Sequence, residues 1–386
     1  MKTINFIRSL FYCVGIALAF YGFIRCEPPS KPSIGERWTE EKAWQWQDKH
    51  GWRAGANFNP STAINQLEFW QEDTFDIETI DRELTWSAEL GMSLHRVYLH
   101  NLLWDQDSLG FLQRLEAYLE KADQLNIKTM FVLLDDVWHP VPQLGKQPDP
   151  IPHVHNSGWV QAPGAEILGD SLRHGELKNY VKGVLTHFAN DSRVIAWDLY
   201  NEPDNVAAQP GRVDLEVKNK YSFSYALLKK TVKWAREVNP SQPLTVGLWK
   251  GEVRHWGILD SLRPLERFMI ENSDIISFHA YEGNPDIVRE KIELLKRFNR
   301  PLVCTEYMAR TNGSTFEKIL PILKENQVGA INWGFVAGKS NTIYPWSSWN
   351  ESFDSIPQTW FHDVYLPDKT PFSEEEIEFI KSQLRN

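Results

Sequence analysis

Runs of apolar, β-branched and aromatic residues recur along the chain, and between them lie longer stretches whose apolar positions return every three to four residues. The first pattern is that of a buried strand, the second that of an amphipathic helix. Strand-like runs fall at Arg53 to Asn59 (RAGANFN), Leu94 to His100 (LHRVYLH), Thr129 to Asp135 (TMFVLLD) and Val194 to Tyr200 (VIAWDLY). Four more follow at Leu244 to Trp249, Ile275 to Tyr281, Leu302 to Glu306 and Ala330 to Phe335. Helical periodicity occupies Ile80 to Leu90, Leu112 to Leu125, Leu177 to Phe188, Tyr225 to Val238, Ile287 to Phe298 and Phe316 to Glu325. This alternation implies parallel strands covered by helices, and eight units in succession predict an α/β fold, a (β/α)8 TIM barrel forming a single domain over 38–386. No G-x-G-x-x-G follows the first strand, which removes the main reason to prefer an open dinucleotide-binding sheet.

A barrel of this kind carries its chemistry at the C-terminal ends of its strands. Those ends hold Asn57 and Asn59, Arg96 and His100, Asp135 and Asp136, Asn201 and Glu202, Trp249, His279 and Tyr281, Glu306, and Trp333, all expected to face one mouth. The fourth run is the most pointed, because IAWDLY breaks off into Asn201-Glu202-Pro203. Taken alone, N-E-P is also how a strand runs out into a polar turn. Glu306 at the end of the seventh run changes its weight, since the two carboxylates could meet across the mouth.

Composition narrows the partners. The formal charge of -10 and the lack of basic runs argue against nucleic acid, whose binding draws on clustered Lys and Arg. The chain has 17 Trp, several in apparent loops, and flat apolar rings at a cleft rim suit sugars, although many must simply pack helices onto strands. Lys2 and Arg8 precede an apolar stretch from Leu10 to Ile24, the form of an export signal and too short for a comfortable membrane span. Residues 1–26 are therefore expected to be a signal peptide or membrane-anchoring segment and 27–37 a Pro-rich linker, with no other integral membrane domain. Cys26 offers a lipid anchor as a rival, but a lipobox wants a small residue where Arg25 stands. Cleavage near Ala19 would leave only Cys26 and Cys304, so no disulfide framework is expected.

Two facing carboxylates are what glycoside hydrolysis requires, one protonated to release the leaving oxygen and one ionised to attack the anomeric carbon or activate water. A separation of about 5 to 5.5 Å predicts retention, and about 6.5 to 9.5 Å inversion. Tyr200-Asn201-Glu202-Pro203, His279-Ala280-Tyr281, Thr305-Glu306, Trp333 and Arg96, in that strand order, resemble the clan of retaining glycoside hydrolases that includes family 5, the cellulase and mannanase group. The resemblance runs from about Trp52 to Phe335. It implies a retaining β-glycosidase that needs no cofactor and takes a carbohydrate substrate, with Glu202 as acid/base and Glu306 as nucleophile. It further implies that Asn201 bonds the hydroxyl beside the reacting carbon, that Arg96 and Tyr281 donate to Glu306, that His279 lines the sugar site and that Trp333 forms its floor.

The third run departs from that pattern, ending LLDDVW where a histidine is common. Asp136 is expected either to bind a sugar hydroxyl or to hold Arg96. The long Pro- and His-rich stretch from Trp138 to Gly164 is expected to wall the cleft and to present Trp138 and Trp159. Its His153-Val154-His155 invites a metal reading, but H-x-H metal pairs sit on a strand with further ligands, so no metal site is expected. The alternative outside enzymes is a carbohydrate-binding barrel without turnover, against which the presence of both glutamates counts.

Overall fold

The computed structural model describes residues 35–385. The segment 1–26, Cys26 and most of the 27–37 linker lie outside the described residues. Eight parallel strands form one sheet: β1 (Ala54–Asn57), β2 (Leu94–Tyr98), β3 (Lys128–Val132), β4 (Val194–Asp198), β5 (Leu244–Thr245), β6 (Ile276–Ala280), β7 (Leu302–Tyr307) and β8 (Gly329–Asn332). Their order is β5-β4-β3-β2-β1-β8-β7-β6, and a parallel bridge between Leu248 and Phe278 joins the two ends. The fold is thus a (β/α)8 barrel. Each predicted strand is present, and all but β7, which runs one residue further to Tyr307, stop short of the predicted polar end.

The helices cover the barrel as their periodicity requires. Helix Phe316–Glu325 buries Phe316, Ile319, Leu320, Ile322 and Leu323, the face that repeats along its length. Gly91, in the left-handed conformation at φ 91°, ends helix Ile77–Leu90, a backbone shape that glycine adopts without penalty. At the N-terminal end of the barrel Leu94, Met130, Ile195, Ile275, Val303 and Ile331 form an apolar plug. Helix Glu40–His50 closes this end, with Trp46 packed on the plug and donating Nε1–H to the Ile195 carbonyl (3.2 Å). Above the plug the interior turns polar, with Asn57, Arg96, Asp198 and Thr305 all buried. That change of layer puts a charged platform directly beneath the mouth. Among the described residues no helix is long and apolar enough to cross a membrane.

Candidate active site

The platform is built on Arg96, fully buried on β2. Its Nε and Nη2 donate to Asp198 Oδ2 (3.0 and 2.8 Å), and Nη1 donates to Asn57 Oδ1 (2.9 Å), Tyr98 Oη (2.5 Å) and Glu306 Oε1 (2.9 Å). Nη2 also donates to Asn201 Oδ1 (2.7 Å). Burial works against the charge, but Tyr98, Asp198 and Glu306 outweigh it and hold the guanidinium protonated well above its ordinary range. One rigid fork therefore orients residues from four strands or strand ends.

Glu306 sits near the end of β7, where the register slips. Phe278 pairs with Cys304 but His279 pairs with Glu306, so β7 carries an extra residue at Thr305. Such a bulge re-aims the following side chain, and here it sets Glu306 level with His279. Glu306 Oε1 accepts from Arg96 and from Tyr98 Oη (2.9 Å), and Oε2 accepts from Tyr281 Oη (2.8 Å). Burial pushes this carboxyl up, yet the charges of His279 and Arg96 and the hydrogen bonds of Tyr281 and Tyr98 prevail and hold it below the ordinary carboxylate range. It is a buried anion with its lone pairs satisfied.

Glu202 leaves β4 through a tight turn. Its own φ is 43° and that of Asp204 is 70°, both left-handed, and Asn205 N–H donates back to the Glu202 carbonyl (3.0 Å). A non-glycine residue held there stores about 1–3 kcal/mol of strain, a feature that clusters at working sites. Glu202 Oε1 lies 2.8 Å from His279 Nδ1, and Oε2 accepts from Asn205 Nδ2 (2.5 Å). The same His279 Nδ1 lies 3.5 Å from Glu306 Oε2. Ligand-capable atoms of Glu202, His279 and Glu306 all fall within 4.8 Å of one another, so this trio could also hold a cation.

Above them opens a cavity of about 280 Å³ lined by Trp138, Trp159, Asn201, Glu202, Trp249, His279, Tyr281, Glu306, Trp333 and Trp346 among others. The two glutamates, Asn201, His279, Tyr281, Trp333 and Trp138 are thus brought together as the sequence predicts. Arg96 lies beneath the cavity and works through Glu306 and Asn201. Trp333 meets Tyr98 and Trp159 edge to face, with centroids 5.6 and 5.8 Å apart, so its ring orientation is fixed by two neighbours.

Asp136 is a correction. It neither reaches the cavity nor holds Arg96, because successive residues past β3 point to opposite sides and Asp136 points away from the barrel axis. It accepts from Tyr200 Oη (2.7 Å), Ser224 Oγ (2.6 Å) and Asp204 N–H (2.8 Å), with Lys220 Nζ at 4.0 Å, and so pins the turn that carries Glu202. The carboxylates that hold Arg96 are Asp198, which accepts from both Nε and Nη2, and Glu306. Asp135 faces inward instead, accepting from Asn201 Nδ2 (2.9 Å) and Trp159 Nε1 (2.7 Å). His100 also misses the mouth: it caps helix Asn101–Gln124 and bonds the Gln161 carbonyl (2.9 Å). Tyr98 was not expected at the site, although its place two residues after Arg96 on one strand puts both on the same face. His153 and His155 bond Tyr344 Oη (2.6 Å) and the Tyr344 carbonyl (2.8 Å), respectively.

A family model described as Cellulase (glycosyl hydrolase family 5) matches residues 92–338. No curated protein sequence matches the chain. Among solved structures, GH5_18 from Streptomyces cattleya in complex with Manβ1-4GlcNAc is similar at 11% identity and TM-score 0.55, over 87% of this chain and 80% of that one. The hyperthermostable endo-1,4-β-D-mannanase of Thermotoga petrophila RKU-1 is similar at 15% identity and TM-score 0.52, over 86% of this chain and all of the other. An exo-β-1,4-mannosidase of Opitutaceae bacterium strain TAV5 is similar at 15% identity and TM-score 0.52, over 87% of this chain and 59% of that one. At these identities the likeness is one of fold.

Proposed function

From the premise that the chain belongs to glycoside hydrolase family 5 and is a glycosidase, we propose that it hydrolyses β-linked oligo- or polysaccharides with retention, by double displacement between Glu306 and Glu202. The observation that carries this reading is the pair itself: two carboxylates whose oxygens approach within 4.8 Å across one cavity, close to the separation of about 5 to 5.5 Å that retention needs. In the first step Glu306 attacks the anomeric carbon while Glu202 protonates the departing oxygen. In the second, Glu202 takes a proton from water, which attacks the same carbon and frees Glu306. Four neighbours prepare Glu306 for attack, namely Arg96, Tyr98, Tyr281 and His279. Asn201, held by Arg96 and Asp135, is placed to bond the hydroxyl beside the reacting carbon, and Trp333 to support the ring.

The reaction needs no metal or organic cofactor in this reading. The mannan-directed names of the structural neighbours make β-1,4-linked mannose and glucose chains the first substrates to assay. Export is part of the proposal and rests on Lys2, Arg8 and the apolar stretch that follows. The test is a panel of aryl β-glycosides followed by proton NMR of the first sugar released. The β anomer should form first and then mutarotate. The α anomer forming first would exclude double displacement, and no phenol from any member would leave a sugar-binding barrel instead.

A further inference from the structure

We infer that the cavity is dammed on its glycone side and admits a single sugar there, so that the enzyme removes one residue at a time from non-reducing ends; this rests on the two-glutamate reading above. The loops after β3 and β8 stand on opposite sides of β1 and β2 in the barrel, yet they are sewn together across them. Asn156 N–H donates to the Ser340 carbonyl (2.8 Å), His155 N–H to Ser348 Oγ (2.9 Å) and Trp349 Nε1–H to the His155 carbonyl (2.9 Å). With the two contacts to Tyr344 already described and the bond from Asn341 Nδ2 to the Ile151 carbonyl (3.1 Å), six bonds close this span. The loop after β4 joins the same wall, since Arg212 donates to the Ser157 carbonyl and lies 4.4 Å from the Trp349 ring centroid. His155, Asn156, Ser348, Tyr344 and Arg212 are all buried. The wall therefore runs from β8 past β1, β2 and β3 to β4, and the opposite side of the cavity is lined by Trp249, His279, Glu282 and Lys291 from β5, β6 and the helix that follows β6.

The side chains beneath the wall say which end of the substrate it blocks. Asn201 points toward β2 and β3, to Arg96 and Asp135, whereas Glu202 points toward β6, to His279. A glycone whose hydroxyl meets Asn201 lies under the wall, and a leaving group protonated by Glu202 lies on the opposite side, toward Trp249 and β6. An endo-acting cleft needs room on both sides of the reacting bond, and the joined loops after β3, β4 and β8 take up that room on the glycone side.

The far end of this pocket carries two histidines, His155 and His362, with ring centroids 5.4 Å apart. Each faces a backbone carbonyl through Nδ1, that of Tyr344 (2.8 Å) and that of Met308 (2.5 Å), so the proton sits on Nδ1 and Nε2 is an acceptor. Nε2 of His362 is buried and has no partner among the described residues. Burial pushes both imidazoles down, His155 to about 4, so they stay neutral. A buried, uncharged pair beside the pocket offers no counter-ion to the carboxylate of a uronic acid.

The experiment uses the full chain with β-1,4-mannohexaose and cellohexaose labelled with 2-aminobenzamide at the reducing end, beside aryl β-mannoside, β-glucoside and β-glucuronide. The first labelled product should be the pentamer, followed by the tetramer, and the glucuronide should turn over at least tenfold more slowly than the best neutral glycoside. Labelled dimers or trimers at the earliest time, or a labelled monosaccharide first, would overturn the dammed glycone side. A glucuronide cleaved as fast as the neutral glycosides would overturn the role of the histidine pair. If no aryl glycoside and no hexasaccharide is cleaved, the hydrolase reading fails and this inference falls with it.

Discussion

Replacing Tyr281 with Phe removes one hydrogen bond from the Glu306 carboxylate and leaves the ring in place. The hydroxyl donates to Oε2 at 2.8 Å, and without it Oε2 keeps only His279 Nδ1 at 3.5 Å, while Oε1 retains Arg96 and Tyr98. A hydrogen bond to a charged group contributes about 1.5–3 kcal/mol. At about 1.36 kcal/mol per pKa unit this raises the Glu306 pKa by about 1–2 units. Glu306 must be ionised to attack, and its native pKa lies below the ordinary carboxylate range. The acid limb of kcat/KM, which reports the free enzyme, should therefore move to higher pH by about 1–2 units in Tyr281→Phe, with the alkaline limb unmoved. The same shift acts on stability: a depressed carboxyl stabilises the fold above its unfolded pKa and ceases to do so as pH falls through its folded value, so the variant should also lose part of its acid resistance. The assay is initial rate on an aryl β-glycoside from pH 3 to 9 with thermal melts at the same points. An acid limb that stays in place while kcat/KM drops by one factor at every pH would refute the idea that Tyr281 acts through the charge of Glu306.

Glu83, with a fully buried side chain, bonds Ser61 through its backbone N–H (3.1 Å) and hydroxyl, and burial pushes its carboxyl from 4.5 to about 7. The protonated form stabilises the fold fully below about pH 4.5, and that contribution fades as pH rises to about 7, a loss of about 3 kcal/mol. Glu83→Gln should remove this dependence and melt about 4 °C above the parent at pH 8, read by calorimetry; an unchanged pH slope would count against it. EDTA should leave activity intact, while Zn²⁺ should inhibit by occupying Glu202, His279 and Glu306, and inactivation by EDTA restored by a divalent metal would reverse the cofactor-free reading.

What the sequence conveyed depended on how local the physics is. Strand and helix identity follow from periodicity, so the eight strands and the register of helix Phe316–Glu325 could be read directly. Glu202, Glu306, His279 and Tyr281 were legible because a barrel confines chemistry to strand ends. The misses arise where a single residue shift changes a side chain's direction. Whether Asp135 or Asp136 faces inward depends on where β3 stops, and the sequence run continued to Asp135 whereas the strand ends at Val132. The bulge at Thr305 leaves no trace in LVCTE, yet it sets Glu306 opposite His279. Asp198, in the middle of an apolar run, could have been suspected as the partner of Arg96, since a buried guanidinium requires an anion. The wall made by the loops after β3, β4 and β8 was out of reach, because its hydrogen bonds join residues nearly two hundred positions apart, as in His155 and Ser348.

The two-glutamate account meets its most direct test in trapping the covalent intermediate. A 2-deoxy-2-fluoro-β-glycoside of the preferred sugar with a dinitrophenyl leaving group should inactivate the enzyme with one equivalent of phenol released. Peptide mass mapping should then place the fluorosugar on Glu306, and Glu306→Gln should take up none. A label on any other residue, or turnover by Glu306→Gln at the parent's rate, would contradict the account.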